Sequence, residues 1–211
     1  MTHVPHRSPA QPTEDCPEDD WVVLVDEHDR EIGTAGKLAA HQFPGQLHRA
    51  FSVLIHDGNG RLLLQQRALT KYHFGGRWTN TCCSHPRPGE GILVAARRRL
   101  HDEMGLDQVE LAELGVFEYR AHDPASGLVE HELDHVIVGR CDDTPRPNPA
   151  EAADHAWCRV DELVSRLESE PDTFTPWLRP ALDIYLATRI PVVSLGQVSE
   201  SLSVSTATWS A

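Results

Sequence analysis

The segment 79–86 (TNTCCSHP) places two adjacent cysteines shortly before a histidine. Cys83 lies two residues before His85, so a thiol and an imidazole are close along the chain. The surrounding window 61–100 contains eight arginines and lysines and one acid, Glu90. Positive charge favours the thiolate, so one interpretation is a reactive cysteine; a small buried thiol beside a loop histidine is the alternative. The basic window likewise has two interpretations: a site for a small polyanion such as a diphosphate, or a solvated charged surface.

A second group of candidate residues, Glu130 and Glu132, lies on a predicted strand, where alternate residues face the same side. Two carboxylates this close repel each other unless a cation or a shared proton lies between them. With the imidazoles of His41, His48 and His85 they form a set of nitrogen and oxygen donors that suits Zn²⁺, Mn²⁺ or a similar divalent ion. Solvated carboxylates and ordinary surface histidines are the alternative, and sequence spacing leaves both open.

A third candidate lies on a predicted helix at 92–104, which Gly105 ends. Arg99 and Glu103 are one turn apart on one face of this helix. They are either a surface ion pair, worth about 0.3 kcal/mol, or a carboxylate for a metal ion beside an arginine for a phosphate. The helix alone does not decide between these interpretations.

The composition limits the classes of protein that can carry these residues. With 211 residues, 40% of them apolar and 24% charged, the chain has the composition of a soluble globular protein. Its net charge of −13 disfavours a nucleic-acid or anionic-membrane binder. It has no apolar run of about 18 residues and no apolar stretch near the N-terminus, so we expect a cytoplasmic protein without a membrane span. Five cysteines, an odd number with two of them adjacent, argue against a disulfide framework.

The elements that must position the candidate residues follow from local patterns. The pattern predicts strands at 21–26, 48–55, 61–66, 109–119, 130–139 and 156–160, and helices at 36–41, 92–104, 161–167 and 176–188. Residues 68–91 have no clear period and are predicted as a long, functional loop. The elements do not alternate regularly, which favours an α+β domain with a mixed sheet flanked by helices. We expect a single domain over 21–190, with flexible extensions at 1–20 and 191–211.

The region around the predicted helix resembles a modified Nudix box, G-x5-E-x7-R-E-U-x-E-E-x-G-U. Two positions depart from this pattern: Ser84 replaces the first glycine, and Arg99 replaces a glutamate that normally helps to hold divalent ions for pyrophosphate hydrolysis. A cation at that position argues against ordinary hydrolysis and for holding a diphosphate that is not cleaved. The matching positions are Glu90, Arg98, Asp102, Glu103, Gly105 and Leu106.

Seven further segments, in order along the chain, resemble the type I isopentenyl-diphosphate isomerases, a family with the Nudix fold. Any one of them is a weak signal, but the ordered set spans 37–177 and is highly specific. The segments are K-x-x-A-H at 37–41, L-H-R-A-F at 47–51, R-A-x-x-K at 67–71, W-T-N-x-x-C-x-H-P at 78–86, Y-R-A-x-D at 119–123, E-H-E-x-D-H at 130–135 and F-x-P-W at 174–177.

The resemblance implies a role for each matched residue. The expected metal ligands, for Mn²⁺, Zn²⁺ or Mg²⁺, are His41, His48, His85, Glu130 and Glu132. Glu103 is expected to hold a second ion, Mg²⁺, that bridges to the substrate diphosphate. The expected cations around that diphosphate are Lys37, Arg67, Lys71 and Arg99. The expected catalytic residues are Cys83, Glu132, Tyr119 and Trp177, whereas Cys82 is assigned to packing.

The activity that the resemblance implies is the conversion of isopentenyl diphosphate to dimethylallyl diphosphate in isoprenoid biosynthesis. Glu132 with Tyr119 is expected to deliver a proton to C4, and Cys83, as thiolate, to remove one from C2; which group handles which proton stays open. We expect a monomer whose partner is a small-molecule diphosphate. The competing interpretations are a Nudix-type pyrophosphohydrolase of an NDP-X substrate, a metal-stabilised binding module without catalysis, and the flavin-dependent isomerase of another fold.

Overall fold

The computed structural model describes residues 20–189. The predicted extensions at 1–20 and 191–211 therefore lie outside the described residues, apart from Asp20. The strands are β1 Trp21–Val25, β2 Glu31–Gly36, β3 His48–His56, β4 Arg61–Arg67, β5 Trp78–Thr79, β6 Cys82–Ser84, β7 Leu111–His122, β8 Val129–Arg140 and β9 Ala152–Arg159. The helices are α1 Lys37–His41, α2 Ile92–Met104, α3 Val160–Ser169 and α4 Leu178–Arg189, and a 3-10 turn spans Pro171–Thr173. Within 20–189, no helix has the length and apolar character that crossing a membrane requires.

The nine strands of the described residues form one mixed sheet, so the predicted α+β class is confirmed. One path through it runs β2-β1-β3-β4-β5, and β9 pairs with β4. Strand β3 also pairs in parallel with β8, which continues antiparallel to β7. Strand β6 pairs antiparallel with the middle of β3. The N-terminal half of β3 is therefore surrounded by several strands, and this is where the candidate residues gather.

Apolar side chains on both faces of β3 fix its central position. Phe51, Val53 and Ile55 pack into a core cluster that includes the buried face of α2. Leu54 points the other way and packs into a second cluster that includes residues of α3 and α4. A strand buried on both faces is apolar nearly throughout and not only at alternate positions. Helices thus cover both sides of the sheet and hold the β3–β8 ladder rigid.

The end of α2 is set by Gly105, as the sequence predicts. Gly105 has φ of 62°, a left-handed conformation, and its N–H donates to the carbonyl of His101 at 2.8 Å. A Cβ at this position would lie 2.8 Å from the carbonyl oxygen of Arg146. Only glycine meets both demands, and the tight junction fixes the last turn of α2, which carries Arg99 and Glu103.

The structure departs from the predicted elements at three places. It adds β2, whose sequence EIGTAG has none of the alternating large apolar residues that mark a strand. Strand β9 begins at Ala152, four residues before the predicted start, and pairs with the whole of β4 despite its polar first half. The predicted loop at 68–91 contains β5 and β6, so part of it is sheet. In each case cross-strand pairing, which the sequence does not display, decides the outcome.

Candidate active site

Two histidines reach the site from α1 and the start of β3. His41 is the last residue of α1, and its Nδ1 lies 2.6 Å from the carbonyl of Lys37. Nδ1 of His48 lies 2.7 Å from the carbonyl of Gln46. Because a carbonyl only accepts, both Nδ1 atoms carry the proton, and both Nε2 atoms are free to donate a lone pair to a cation. This arrangement is usual for histidines that bind metal ions.

The parallel register of β3 and β8 brings the carboxylates to these histidines. His48 is directly opposite Glu132 in the ladder. Oε1 of Glu132 lies 2.8 Å from Nε2 of His85 and 3.5 Å from Nε2 of His48. Oε2 of Glu130 lies 2.8 Å from Nε2 of His41. All five predicted metal ligands therefore meet at one end of the β3–β8 ladder.

The five residues form two overlapping groups. The ligand atoms of His41, His48, His85 and Glu132 all lie within 4.8 Å of one another, and Glu130 forms a second group with His41 and His73. Nε2 of His41 and Oε2 of Glu130 are buried and, although close, lack the alignment of a hydrogen bond. Buried polar atoms without partners are rare in native proteins. The donor set and these atoms fit a divalent cation.

The electrostatics of the group also favour a cation. Burial lowers the pKa of His85 to about 3, so its imidazole is neutral and can bind a metal ion. Burial and Glu130 raise the pKa of Glu132, but its contacts with His48 and His85 outweigh them and bring it to about 2. Burial lowers the pKa of His41, yet Glu130 raises it above its usual value. Two ionised carboxylates among buried imidazoles therefore favour positive charge, which a proton on His41 or a bound cation can supply.

His73 is a member of this cluster that sequence reasoning missed. Only 8% of its surface is exposed, its ring stacks on that of His41 with centroids 5.3 Å apart, and its Nε2 contacts Oε1 of Glu130. Arg67 donates from Nη2 to its carbonyl at 3.2 Å. His73 lies in the predicted loop, which has no periodic pattern. The only sequence signal for a role in the site is that it follows the candidate residue Lys71 by two positions. It holds the second oxygen of Glu130.

Replacing His73 with leucine is expected to raise the Kd of the bound divalent ion about 10-fold, because Glu130 loses the group that orients it. Competition with a chromophoric chelator measures this Kd. The matched control is His131→Leu, since His131 lies between the two glutamates on β8 but contacts Glu118 at the protein surface. Equal affinities in wild type and His73→Leu would contradict the orienting role.

The two adjacent cysteines face opposite sides of β6. Cys82 is fully buried in the core cluster beneath α2, in agreement with its assignment to packing. Cys83 is opposite Ser52 in the ladder with β3, and its Sγ lies 3.5 Å from Nη1 of Arg67. Strand alternation separates the two thiols because consecutive side chains point to opposite faces.

The protonation state of Cys83 differs from the expectation of a thiolate. Burial raises the pKa of Cys83 to about 12, although Arg67 lowers it. Glu103, Glu132 and Asp134 raise it further through their negative charge. The basic window in the sequence suggested the opposite, because burial and the convergence of distant acids cannot be seen in local charge. A pKa near 12 favours the thiol form of Cys83 at neutral pH.

Two aromatic residues complete this side of the site. Tyr119 is opposite Glu132 in the β7–β8 ladder and donates from its hydroxyl to Oε2 of Glu132 at 2.5 Å. Trp177 is 2% exposed and donates from Nε1 to Oδ1 of Asn80 at 3.1 Å. The guanidinium of Arg67 lies 5.4 Å from the centre of the Trp177 ring. This ring therefore already has a cation near its face.

The predicted catalytic and diphosphate-binding residues line a single pocket together with three of the metal-ligand candidates. Burial lowers the pKa of Lys37, and the charges of Lys71 and Arg99 lower it further, so like charges are crowded there. Such crowding indicates a site for an anion. The pocket lining includes Lys37, Arg67, Lys71, Cys83, His85, Arg99, Tyr119, Glu130, Glu132 and Trp177.

Glu103, the predicted ligand of a second ion, belongs to neither of the His/Glu groups. It accepts hydrogen bonds from Gln65 at 2.9 Å and from Arg99 at 2.8 Å. Arg99 also lies 3.1 Å from a second acid, Glu151, which in turn contacts Lys71. Sequence reasoning missed Glu151, because it follows a proline-rich segment that carries no periodic pattern.

The rest of the modified box has a structural role. Glu90 accepts two hydrogen bonds from Arg98, at 2.8 and 2.7 Å, and one from the backbone N–H of Arg87 at 2.9 Å. These bonds attach the segment before α2 to the helix itself. They fix the direction from which α2 presents Arg99 and Glu103.

Comparison with known proteins defines the class of this fold. Residues 46–178 match the family model described as the NUDIX domain. The solved structure of DR0079 from Deinococcus radiodurans has a TM-score of 0.64 at 19% identity, covering 78% of this chain and 99% of that one. The MutT NUDIX hydrolase of Burkholderia pseudomallei has a TM-score of 0.52 at 24% identity, covering 65% and 97%. These two similarities show the fold alone, and the family match shows that the chain belongs to the Nudix family.

Curated relatives narrow this class. The isopentenyl-diphosphate Delta-isomerase of Nocardia farcinica is 52% identical over 163 residues, which cover 77% of this chain and 93% of that protein. The protein of the same name from Streptomyces griseus is 54% identical over 160 residues, covering 76% and 80%. Within the Nudix family, the chain belongs with the isopentenyl-diphosphate Delta-isomerases.

Proposed function

We propose that this chain converts isopentenyl diphosphate to dimethylallyl diphosphate in isoprenoid biosynthesis. The observation that carries the proposal is the single pocket that joins Cys83 and the Glu132–Tyr119 pair to a cluster of basic side chains. Relatives that bear the name of this activity and are 52% and 54% identical support it. The substrate is a small diphosphate; the monomeric state and the cytoplasmic location remain predictions from the sequence.

Arg99 argues against the alternative, a Nudix-type pyrophosphohydrolase. Hydrolysis needs the glutamate of the box at this position to hold divalent ions. Here a guanidinium replaces it and donates to Glu103 at 2.8 Å. The result is a cation and a carboxylate side by side, an arrangement that holds a diphosphate without favouring its cleavage.

The reaction moves a double bond, so one proton is added at C4 and another is removed from C2. We assign the addition to Glu132 with Tyr119, because the Tyr119 hydroxyl carries a proton and donates it at 2.5 Å to Glu132. We assign the removal to Cys83, whose Sγ lies in the same pocket. Arg67, 3.5 Å from that sulfur, is the group that stabilises the thiolate when it forms. These are general acid and base roles.

The raised pKa of Cys83 makes a prediction about pH. With a pKa near 12, the thiolate fraction increases about tenfold per pH unit through neutrality. If Cys83 is the base, kcat/KM should therefore rise between pH 6 and 8 with a logarithmic slope of about 1. A steady-state pH profile checks this. A flat or falling profile in that range would contradict removal of the C2 proton by Cys83 with Tyr119 as the proton donor.

We propose that the cluster of His41, His48, His85, Glu130 and Glu132 holds Mn²⁺, Zn²⁺ or Mg²⁺, and that Glu103 contributes to a Mg²⁺ site at the diphosphate. When bound, these ions supply electrostatic stabilisation of Glu132 and of the diphosphate charge. Lys37, Arg67, Lys71 and Arg99 contribute the remaining positive charge. The diphosphate then serves as a handle by which binding energy positions the alkene.

Trp177 stabilises the positive charge that develops when the alkene is protonated. Its buried ring offers a π face, worth ~2 kcal/mol to a desolvated cation. Tyr119 lies 6.0 Å from that ring, centre to centre, so the two aromatic residues form one wall. The wall excludes water, which would otherwise trap the cation.

A proton NMR time course tests the proposal. Purified protein with Mg²⁺ in D₂O should convert isopentenyl diphosphate to dimethylallyl diphosphate, with deuterium entering the methyl group. No conversion by reduced, metal-replete protein would overturn the proposal. Release of orthophosphate or a nucleoside monophosphate from an NDP-X substrate would support the hydrolase.

A further inference from the structure

Glu151 is an acid in the lining of a second pocket, which shares Lys37, Lys71 and Arg99 with the pocket described above. It lies in the turn before β9, where its N–H donates to the carbonyl of Asn148 at 2.9 Å. Its own carbonyl accepts from the N–H of Ala68 at 2.9 Å. The backbone of Glu151 is therefore fixed against the segment that carries Arg67 and Lys71.

The side chain of Glu151 is paired with two of the proposed diphosphate-binding cations. Its Oε2 contacts Nζ of Lys71, and its Oε1 lies 3.1 Å from Nη2 of Arg99. Burial raises the pKa of Glu151, but Lys71 and Arg99 outweigh it and hold the pKa below its usual value. Glu151 is therefore an ionised carboxylate at the position where these cations would meet a phosphate oxygen.

The charged side chains around Glu151 determine whether this pocket can bind a bare diphosphate or one accompanied by a cation. Four cations and two acids line it: Lys37, Lys71, Arg87 and Arg99 against Asp20 and Glu151. A bare diphosphate must displace the carboxylate of Glu151 from its cations or lie beside it, and like charges at such distances repel. A diphosphate that arrives with a divalent cation carries less negative charge, and its cation offers Glu151 a new partner.

We infer, on the basis of the proposed function, that Glu151 is a specificity-determining residue that makes the pocket bind a diphosphate only together with a divalent cation. A purely structural role is separable, because the backbone hydrogen bonds of residue 151 hold the turn whatever its side chain. Replacement by glutamine keeps the size of the side chain and removes only its charge. The variant Glu151→Gln therefore isolates the electrostatic effect.

Isothermal titration of the metal-containing protein with inorganic diphosphate tests the inference, with and without added Mg²⁺. Without Mg²⁺, Glu151→Gln is expected to bind diphosphate at least 10-fold more tightly than wild type. The gain in affinity that Mg²⁺ gives wild type should shrink in the variant. Glu170→Gln is the matched control, because Glu170 also pairs with an arginine, Arg166, but lies outside the pocket lining. It should bind as wild type does.

The outcomes separate the inference from the proposed function. If wild type binds diphosphate with Mg²⁺ but Glu151→Gln binds no more tightly without it, the inference is wrong and the proposed diphosphate site stands. If neither protein binds diphosphate under either condition, the diphosphate site itself is wrong and the inference falls with it. Thermal melting of each variant checks that the compared proteins are folded.

Discussion

Replacing Cys83 with alanine is expected to lower kcat for isomerisation by at least ~10³-fold, because the reaction loses one of its two proton-transfer groups. The fold should survive, since Cys83 is not part of the apolar core clusters. Turnover measured by NMR and thermal melting measured by circular dichroism separate the two effects.

Cys82→Ala is the control for this variant. The Cys82 side chain is fully buried beneath α2, so its truncation removes packing contacts and should lower the free energy of unfolding by about 1 kcal/mol. Turnover should stay near that of wild type at temperatures where the variant is folded. An inactive Cys82→Ala beside an active Cys83→Ala would mean that the catalytic thiol has been assigned to the wrong residue.

Glu132→Gln is expected to have the second large effect, a loss of about 10³-fold in kcat together with weaker binding of the divalent ion. The carboxylate of Glu132 faces His85 at 2.8 Å and accepts from Tyr119 at 2.5 Å. An amide keeps the shape but cannot accept the proton that the reaction exchanges, and it is a poorer ligand for a cation. Turnover and metal content, measured on the same preparation, test both parts.

The matched control for Glu132→Gln is Glu118→Gln. Glu118 lies next to Tyr119 on β7 but points to the surface, where it contacts His131. Its replacement removes the same charge and should leave both turnover and metal content unchanged. Full activity and full metal content in Glu132→Gln would remove this carboxylate from the mechanism.

Much of the site could be predicted because its residues lie on regular elements. The period of a strand places Glu130 and Glu132 on one face, and the structure directs both carboxylates to the histidines. The period of a helix places Arg99 beside Glu103, and Nη2 of Arg99 lies 2.8 Å from Oε1 of Glu103. In these cases local geometry is sufficient, since it depends only on spacing along the chain.

The remaining features depend on contacts between distant segments. His73 and Glu151 lie in irregular segments, so only tertiary packing brings the first to Glu130 and the second to Lys71 and Arg99. The high pKa of Cys83 likewise depends on burial and on Glu103 and Glu132, which are remote in sequence. Spacing along the chain contains no information about such encounters. Sequence reasoning thus predicted the candidate ligands but not the residues that contact them or pair with the predicted diphosphate-binding cations.

The parallel ladder between β3 and β8 would make binding of the proposed ion depend on correct strand pairing. His48 is opposite Glu132 in this ladder, and a slip of one residue would turn the side chains of β8 to the other face. A chain paired in that wrong register would have no complete ligand set. An ion that binds only the native register stabilises that register by mass action. It therefore shifts the equilibrium from misaligned chains to correctly aligned ones. Metal supply during synthesis would then govern how much of the protein reaches its native form, independently of how fast each finished molecule turns over.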